Sequence, residues 1–244
     1  MDSDIYHYDG LAYWGPIGAA TMDRLIETMR PTPAGRALDV GCGRGEFLLR
    51  LVERHGIREV VGVDRSKAAL EIARATFVER KPEIVPDLRE CDADDLAFDD
   101  DSFEVVAWLG GPLLGDSFAA TVARLTRWTR PGGYVLIGHG FWENPPAADY
   151  LATTGITADE FVEHWQNIEA CEQAGLRSLY CCRSSRHEWD EFEGRILANV
   201  ERYAIGHPKN PDPQGRLEQR RSWHRAQQRW GRDAMGFGLY LFQR

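Results

Sequence analysis

The sequence predicts an α/β fold: a doubly wound, mostly parallel sheet with a helical elaboration between its last two strands. Short β-rich apolar runs alternate with helix-period patterns from Arg36 to about Gly138, the rhythm of a parallel sheet covered on both faces. A glycine-dense turn, Gly41-Cys42-Gly43-Arg44-Gly45, follows the first run directly. The length of 244 residues suits one well-buried unit, so residues 1–244 are expected to form a single domain. Such a fold places its ligand in the crevice at the carboxyl ends of the strands.

The elements follow in order. Ala37-Leu38-Asp39-Val40 reads as the first strand, and Phe47, Leu48, Leu51 and Val52 as the apolar face of the next helix. Glu59 to Asp64 is a second β-rich run, with Ser66 as N-cap of a helix through Ala75. Phe103 to Trp108 is a further strand, and Gly133 to Gly138 follows the Pro131-Gly132 turn. Beyond Asn144-Pro145-Pro146 the pattern predicts a helix from about Thr157 to Ala174 with Phe161, Trp165 and Ile168 on one face. A strand from Leu176 to Cys182 and a helix from about Glu188 to Ala204 come next, the helix bearing Trp189, Phe192, Ile196, Val200 and Tyr203 on one stripe. A proline-rich polar loop (207–213), an Arg/Gln helix, a turn at Trp230-Gly231-Arg232-Asp233 and a strand from Gly236 to Phe242 complete the chain.

Composition narrows the function. The formal net charge of −9 disfavours nucleic acid, whose binders need a basic face. Arg216, Arg220, Arg221, Arg225 and Arg229 alternate with Glu and Gln at helical spacing and read as a solvated face. Cys42, Cys91, Cys171, Cys181 and Cys182 contain no C-x-x-C pair, so neither a disulfide framework nor a metal site is expected. No apolar run approaches the ~20 residues of a membrane span, and no signal-peptide pattern opens the chain. A cytoplasmic location is the expectation, without a membrane partner; composition leaves the oligomeric state open.

The most specific segment is Leu38-Asp39-Val40-Gly41-Cys42-Gly43-Arg44-Gly45. Closely spaced glycines let a ligand approach the backbone, and the helix start that follows supplies N–H groups. The spacing falls one residue short of the dinucleotide fingerprint G-x-G-x-x-G. It resembles motif I of the class I S-adenosylmethionine-dependent methyltransferases, in the small-molecule branch that includes the ubiquinone and menaquinone methyltransferases. Three further segments match in order: Asp64 ending the second strand, Cys91-Asp92-Ala93-Asp94-Asp95-Leu96, and Phe98 to Val106 with Arg130-Pro131-Gly132-Gly133 after it.

The resemblance implies a Rossmann-like methyltransferase fold and S-adenosyl-L-methionine as cofactor, leaving S-adenosyl-L-homocysteine. It implies that Asp64 takes both ribose hydroxyls, its two oxygens being suited to a vicinal diol. By the same match Asp92 would accept from the adenine amino group and the Ala93 N–H would serve a ring nitrogen. Asp39 would sit near the methionine amino group, and Trp108 and Leu109 would line the methionine end through their backbone. Gly41, Cys42, Gly43 and Arg65 complete the cofactor-binding set. The division is then 1–35 as an N-terminal aromatic lid or helices, 36–142 as the cofactor-binding core and 143–244 as acceptor-side helices and last strands.

The acceptor is expected to be a small molecule, planar or aromatic. The [DN]-P-P-[YF] motif of amino-methylating enzymes on DNA, RNA or protein glutamine is absent after the fourth strand, where the chain reads Leu109-Gly110-Gly111-Pro112. His139, past the fifth strand, is the candidate catalytic base or clamp, and a structural histidine is an equal reading. Trp142 either stacks on the acceptor or seals the core. Tyr8, Tyr13 and Trp14 are candidate acceptor contacts from a lid, since aromatic faces attract a sulfonium; an N-terminal helix packed on the sheet is the other reading. An S-adenosylmethionine sensor without turnover and, more distantly, a nicotinamide-dependent oxidoreductase are the alternatives.

Overall fold

The computed structural model describes residues 5–92, 95–208 and 211–244. Its strands are β1 (Arg36–Val40), β2 (Glu59–Asp64), β3 (Asp87–Glu90), β4 (Phe103–Leu109), β5 (Thr129–Trp142), β6 (Arg177–Arg183) and β7 (Met235–Gln243). They form one sheet in the order β3-β2-β1-β4-β5-β7-β6. Neighbours are parallel from β3 through β5, and β7 runs antiparallel to both β5 and β6. The doubly wound, mostly parallel sheet is therefore present, and its two-sided burial explains the apolar strands.

Alternate residues of each strand feed two cores. Ala37, Val105, Leu136 and Leu241 face one side, where α1 (Ala19–Thr28) contributes Met22 and Leu25 and α2 (Glu46–His55) contributes Phe47 and Leu51. Phe77 of α3 (Lys67–Arg80) joins them. Leu38, Val106, Val135 and Phe242 face the other side, against Val122 and Leu125 of α4 (Phe118–Trp128). Ser66 caps α3 as expected, its Oγ accepting from the Ala69 N–H at 3.2 Å, and the helix runs beyond Ala75 to Arg80. The short β3 has no counterpart in the sequence reading, because Asp87-Leu88-Arg89-Glu90 carries one apolar side chain and lies at the sheet's edge.

Of the helix expected over Thr157–Ala174 only the part from His164 is helical; an irregular link replaces its first half, and a separate short helix precedes the link. α5 spans Ala148–Thr154 and α6 spans His164–Gln173. Residues 156–163 cross the end of the sheet, where the Trp142 N–H donates to the Val162 carbonyl at 2.9 Å. The reciprocal capping box of Glu163 and Gln166 then starts α6. Phe161 consequently lies outside any helix and packs over Gly140, where a Cβ would come within 2.5 Å of its ring. Trp165 is 54% exposed, which separates it from Phe161 and Ile168.

Between β6 and β7 stand α7 (Arg186–Gly206), α8 (Pro211–Ala226), a π-helical turn (Gln227–Gly231) and α9 (Arg232–Ala234). This is the expected elaboration, with two corrections. The Trp230–Asp233 segment is helical rather than a turn: Gln227, buried beneath it, accepts from the Tyr150 hydroxyl at 2.7 Å. The basic stretch is only partly a solvated face. Arg220 pairs with Glu193, which is 3% exposed on α7, and Arg221 pairs with Glu201 at 2.7 Å. The reason is that α8 packs along α7 instead of facing water on all sides. No helix among the described residues is long and apolar enough to cross a membrane.

Candidate functional site

From β1 the chain winds to β2 on one side and later returns to β4 on the other, so a crevice opens at the carboxyl end of β1. The glycine loop lies there. The N–H groups of Gly41 and Cys42 both donate to the Val63 carbonyl, at 2.8 and 2.9 Å, which ties the loop to β2. Gly43 sits at φ +51°, a left-handed conformation suited to glycine, and its N–H donates to Asp64 Oδ2 at 2.9 Å. Asp64 Oδ1 accepts from the Ser66 N–H at 2.9 Å. Each carboxylate oxygen has used one lone pair on the backbone and keeps another for a ligand hydroxyl. Gly45 serves packing: a Cβ there would lie 3.2 Å from Ala73 and 3.3 Å from Phe77 of α3.

A cleft of about 750 Å³ opens above this loop. Tyr8, Trp14, Gly41, Asp64, Arg65, Asp92, Trp108 and Leu109 all line it. A recess of about 40 Å³ adjoins it, lined by Tyr13, Asp39, Cys42, Gly43 and Arg44 and sharing Trp14, Gly41 and Leu109 with the cleft. The structure thus gathers nearly all of the expected cofactor set. Ala93 lies outside the described residues. Trp108 turns its indole into the core and donates Nε1–H to the Pro112 carbonyl at 3.0 Å.

Asp39 is the electrostatic centre of the recess. It is 2% exposed, and its Oδ1 has no hydrogen-bond partner. Burial first, and the Asp64 charge second, push its carboxyl up to about 8. An orphaned buried carboxyl is costly unless a ligand completes it. Burial also pushes the neighbouring Cys42 thiol well up, which makes it an inert packing group.

The N-terminal segment straps the cleft. Its 3-10 turn (Tyr6–Tyr8) lies against α7, with Tyr6 stacked on Tyr203 at 4.0 Å between centroids. Asn199 donates to the His7 and Asp9 carbonyls at 3.0 and 2.8 Å. Tyr8 stacks on Trp14 at 4.6 Å, 9° from parallel, and Trp14 in turn lies over Gly43, where a Cβ would approach its ring to 3.2 Å. At the other end of the strap Glu188, in the first turn of α7, accepts from the Gly18 N–H and the Thr21 hydroxyl, at 2.9 and 2.7 Å. His7, Ser66 and the Gly110–Pro112 loop line the cleft as well, and none of them is placed at the ligand site by the sequence reading. Only the order of motifs could have pointed to the loop; nothing local marks His7 or Asn199.

His139 and Trp142 are not among the residues lining the cleft. His139 stacks on Phe118 at 4.6 Å and meets Trp108 and Phe161 at 5.4 and 5.5 Å. Burial lowers its pKa to about 4, so the ring is neutral at physiological pH. Folded His139 therefore takes up its proton later than unfolded His139, whose value is about 6.5. Its contribution to stability is intact above pH 6.5 and falls as pH drops from 6.5 to 4. His139→Phe is expected to flatten that part of a denaturant-midpoint profile against pH.

Trp142 is 7% exposed, packs with Tyr150, Ile156, Ala226 and Ala234, and donates Nε1–H to the Ala158 carbonyl at 2.9 Å. This is a core position. Trp142→Ala should cost about 3–5 kcal/mol of stability, the usual range for a buried tryptophan, read by urea unfolding. Affinity for S-adenosylhomocysteine should change little, because the ring touches neither the cleft nor the recess.

The geometry fits the cofactor that the motifs imply. A carboxylate with free lone pairs waits at the end of β2, a second lines the cleft beside it, and an acid with an unpartnered oxygen lines the adjoining recess. A methyltransferase domain model matches residues 37–133. The uncharacterized protein YjhP of Escherichia coli strain K12 is 26% identical over 227 residues, covering 91% of this chain and 88% of that one. The nocamycin O-methyltransferase of Saccharothrix syringae is 34% identical over 132 residues, 54% of this chain and 45% of its own length. The chain therefore spans less than half of that relative. The SAM-dependent methyltransferase of Geobacter sulfurreducens, crystallised with S-adenosyl-L-homocysteine, superposes with a TM-score of 0.88 at 23% identity, covering 98% and 96% of the two chains. Matched motifs, sheet order and cleft agree: residues 37–133 are a methyltransferase domain, and the chain has the fold of the S-adenosylmethionine-dependent methyltransferases.

Proposed function

We propose that the chain transfers the methyl group of S-adenosylmethionine to a small planar or aromatic molecule held beneath the N-terminal strap. The observation that carries this reading is the stacked pair Tyr8–Trp14, which lines the same cleft as the Leu109–Pro112 loop. When bound, the cofactor would supply a sulfonium-activated methyl carbon, to which an acceptor nucleophile bonds in line as the C–S bond breaks and S-adenosylhomocysteine leaves.

The protein's own residues hold, align and dry the site. Asp64 fixes the ribose through its remaining lone pairs, Asp92 accepts from the adenine amino group, and Asp39 holds the ammonium of the methionine end. Tyr8 and Trp14 give a flat apolar wall on which a planar acceptor stacks. Alignment of this kind lowers a barrier by roughly 7–11 kcal/mol without any proton transfer. His139, neutral and packed on Phe118, supports the Trp108 floor rather than acting as a base. A small acceptor also accords with the net charge of −9, which repels polynucleotides.

The test is incubation of the purified protein with methyl-deuterated S-adenosylmethionine and metabolite extracts, followed by mass analysis. The expected result is release of S-adenosylhomocysteine with the label in a compound of metabolite size. Label in protein or nucleic acid would overturn the small-molecule reading. Absence of acceptor-dependent release across extracts, with intact cofactor binding, would favour a sensor.

A further inference from the structure

Arg44 is the one charged residue of the glycine run 41–45, and its side chain does two things at once. Its Nη1–H donates to the Leu11 carbonyl of the strap at 2.8 Å. Its Nε is buried, has no hydrogen-bond partner among the described residues, and belongs to a side chain lining the small recess. Asp39 Oδ1 is also orphaned, and its side chain lines this recess together with Gly41, Gly43 and Arg44. Tyr13 closes the same space, its hydroxyl also buried and unpartnered.

One recess thus presents an unpaired acid and the unpaired side of a guanidinium fork. A group that satisfies both carries an ammonium and a carboxylate on one carbon, that is, an α-amino acid end. We propose that Arg44 is the positioning residue that reads the carboxylate of the cofactor's amino-acid end and couples its presence to closure of the strap. The inference rests on the reading that this end lies in the recess.

The coupling has a physical route. A planar guanidinium presents its donors in a fixed fork. A carboxylate accepting at the Nε side fixes the plane of that fork, and Nη1 is then aimed at the Leu11 carbonyl. Without the carboxylate the side chain keeps only one anchor, and its rotamer freedom works against the strap contact. The strap carries Tyr8 and Trp14, so the acceptor wall assembles fully only when an intact amino-acid end is bound.

The test compares S-adenosylhomocysteine with its decarboxylated analogue, which keeps the nucleoside, the sulfur and the amine. Binding is measured by calorimetry, and strap closure by hydrogen exchange of residues 5–14. Wild-type protein should bind the decarboxylated analogue at least about tenfold more weakly, the scale of a charge-assisted hydrogen bond. Exchange of the strap should slow with S-adenosylhomocysteine and not with the analogue. In Arg44→Gln the two ligands should bind within about twofold of one another, and neither should slow exchange. Equal binding of both ligands to wild type, or full selectivity retained by Arg44→Gln, would overturn the proposal. The wild-type comparison needs no variant to fold. A wild-type protein that binds neither ligand would instead overturn the cofactor reading on which the inference rests.

Discussion

Asp64→Ala should weaken S-adenosylhomocysteine binding by about 1–3 kcal/mol, roughly fivefold to 150-fold, the range for losing hydrogen bonds to a charged group. Two losses combine. The ligand's ribose hydroxyls lose their acceptor. The Gly43 and Ser66 N–H groups, which Asp64 holds at 2.9 Å each, lose the anchor that sets the loop against the start of α3. Asp64 lies at the cleft, and water can reach the freed N–H groups, so the cost to the unliganded fold should be smaller than the cost to binding. Calorimetry and urea unfolding on the same variant separate the two. Asp64→Asn is the informative control, because its amide keeps one acceptor oxygen and should fall between wild type and Ala. Unchanged affinity in Asp64→Ala would remove Asp64 from the ribose role and weaken every residue assignment built on motif order.

The cofactor half of the site was legible because its chemistry is local. Gly41, Gly43 and Asp64 lie within one βαβ unit, and the backbone geometry they need is written in adjacent residue types. Asp39 was legible as well, a charge at the end of an apolar strand. What could not be read was set by contacts distant in sequence. Trp142 and His139 follow the apolar run Gly133–Gly138, where the sequence offers a ligand-facing role, yet both are still within β5, and the link 156–163 folds back over that strand and places Phe161 on Gly140 and beside both rings. That link follows from a capping box at Glu163 and one strand-like hydrogen bond to Trp142, against a periodicity that favoured helix. Arg220 is the same lesson in charge: helical spacing placed it on a solvated face, and the neighbouring α7 offered it the buried Glu193. The aromatic N-terminal segment announced itself by composition, but its tie to α7 through Asn199 spans some 190 residues.

S-Adenosylhomocysteine binding at pH 7 should release close to one proton, and Asp39→Asn should abolish the release. Before binding, Asp39 is buried beside Asp64 with an orphaned oxygen, and its carboxyl titrates at about 8 against an ordinary 3.8. At pH 7 it is therefore mostly protonated. The ammonium of the methionine end favours the ionised form, so binding expels the proton. The sign follows from linkage: affinity rises with pH, by up to about tenfold per unit, until pH passes 8 and the free protein has already ionised. Stability of the unliganded protein runs the opposite way. The folded state holds a proton that the unfolded state has lost between pH 3.8 and 8, so this group's contribution declines as pH rises through that window. Calorimetry in phosphate and in Tris, whose ionisation enthalpies differ, reads the proton count as the slope of apparent enthalpy against buffer enthalpy. Asp39→Asn should bind more weakly, with a slope near zero, while its unliganded form loses the decline in stability toward pH 8. A wild-type slope near zero would mean that Asp39 is already ionised in the free protein, or stays protonated in the complex, and either result would take the ammonium-holding role away from it.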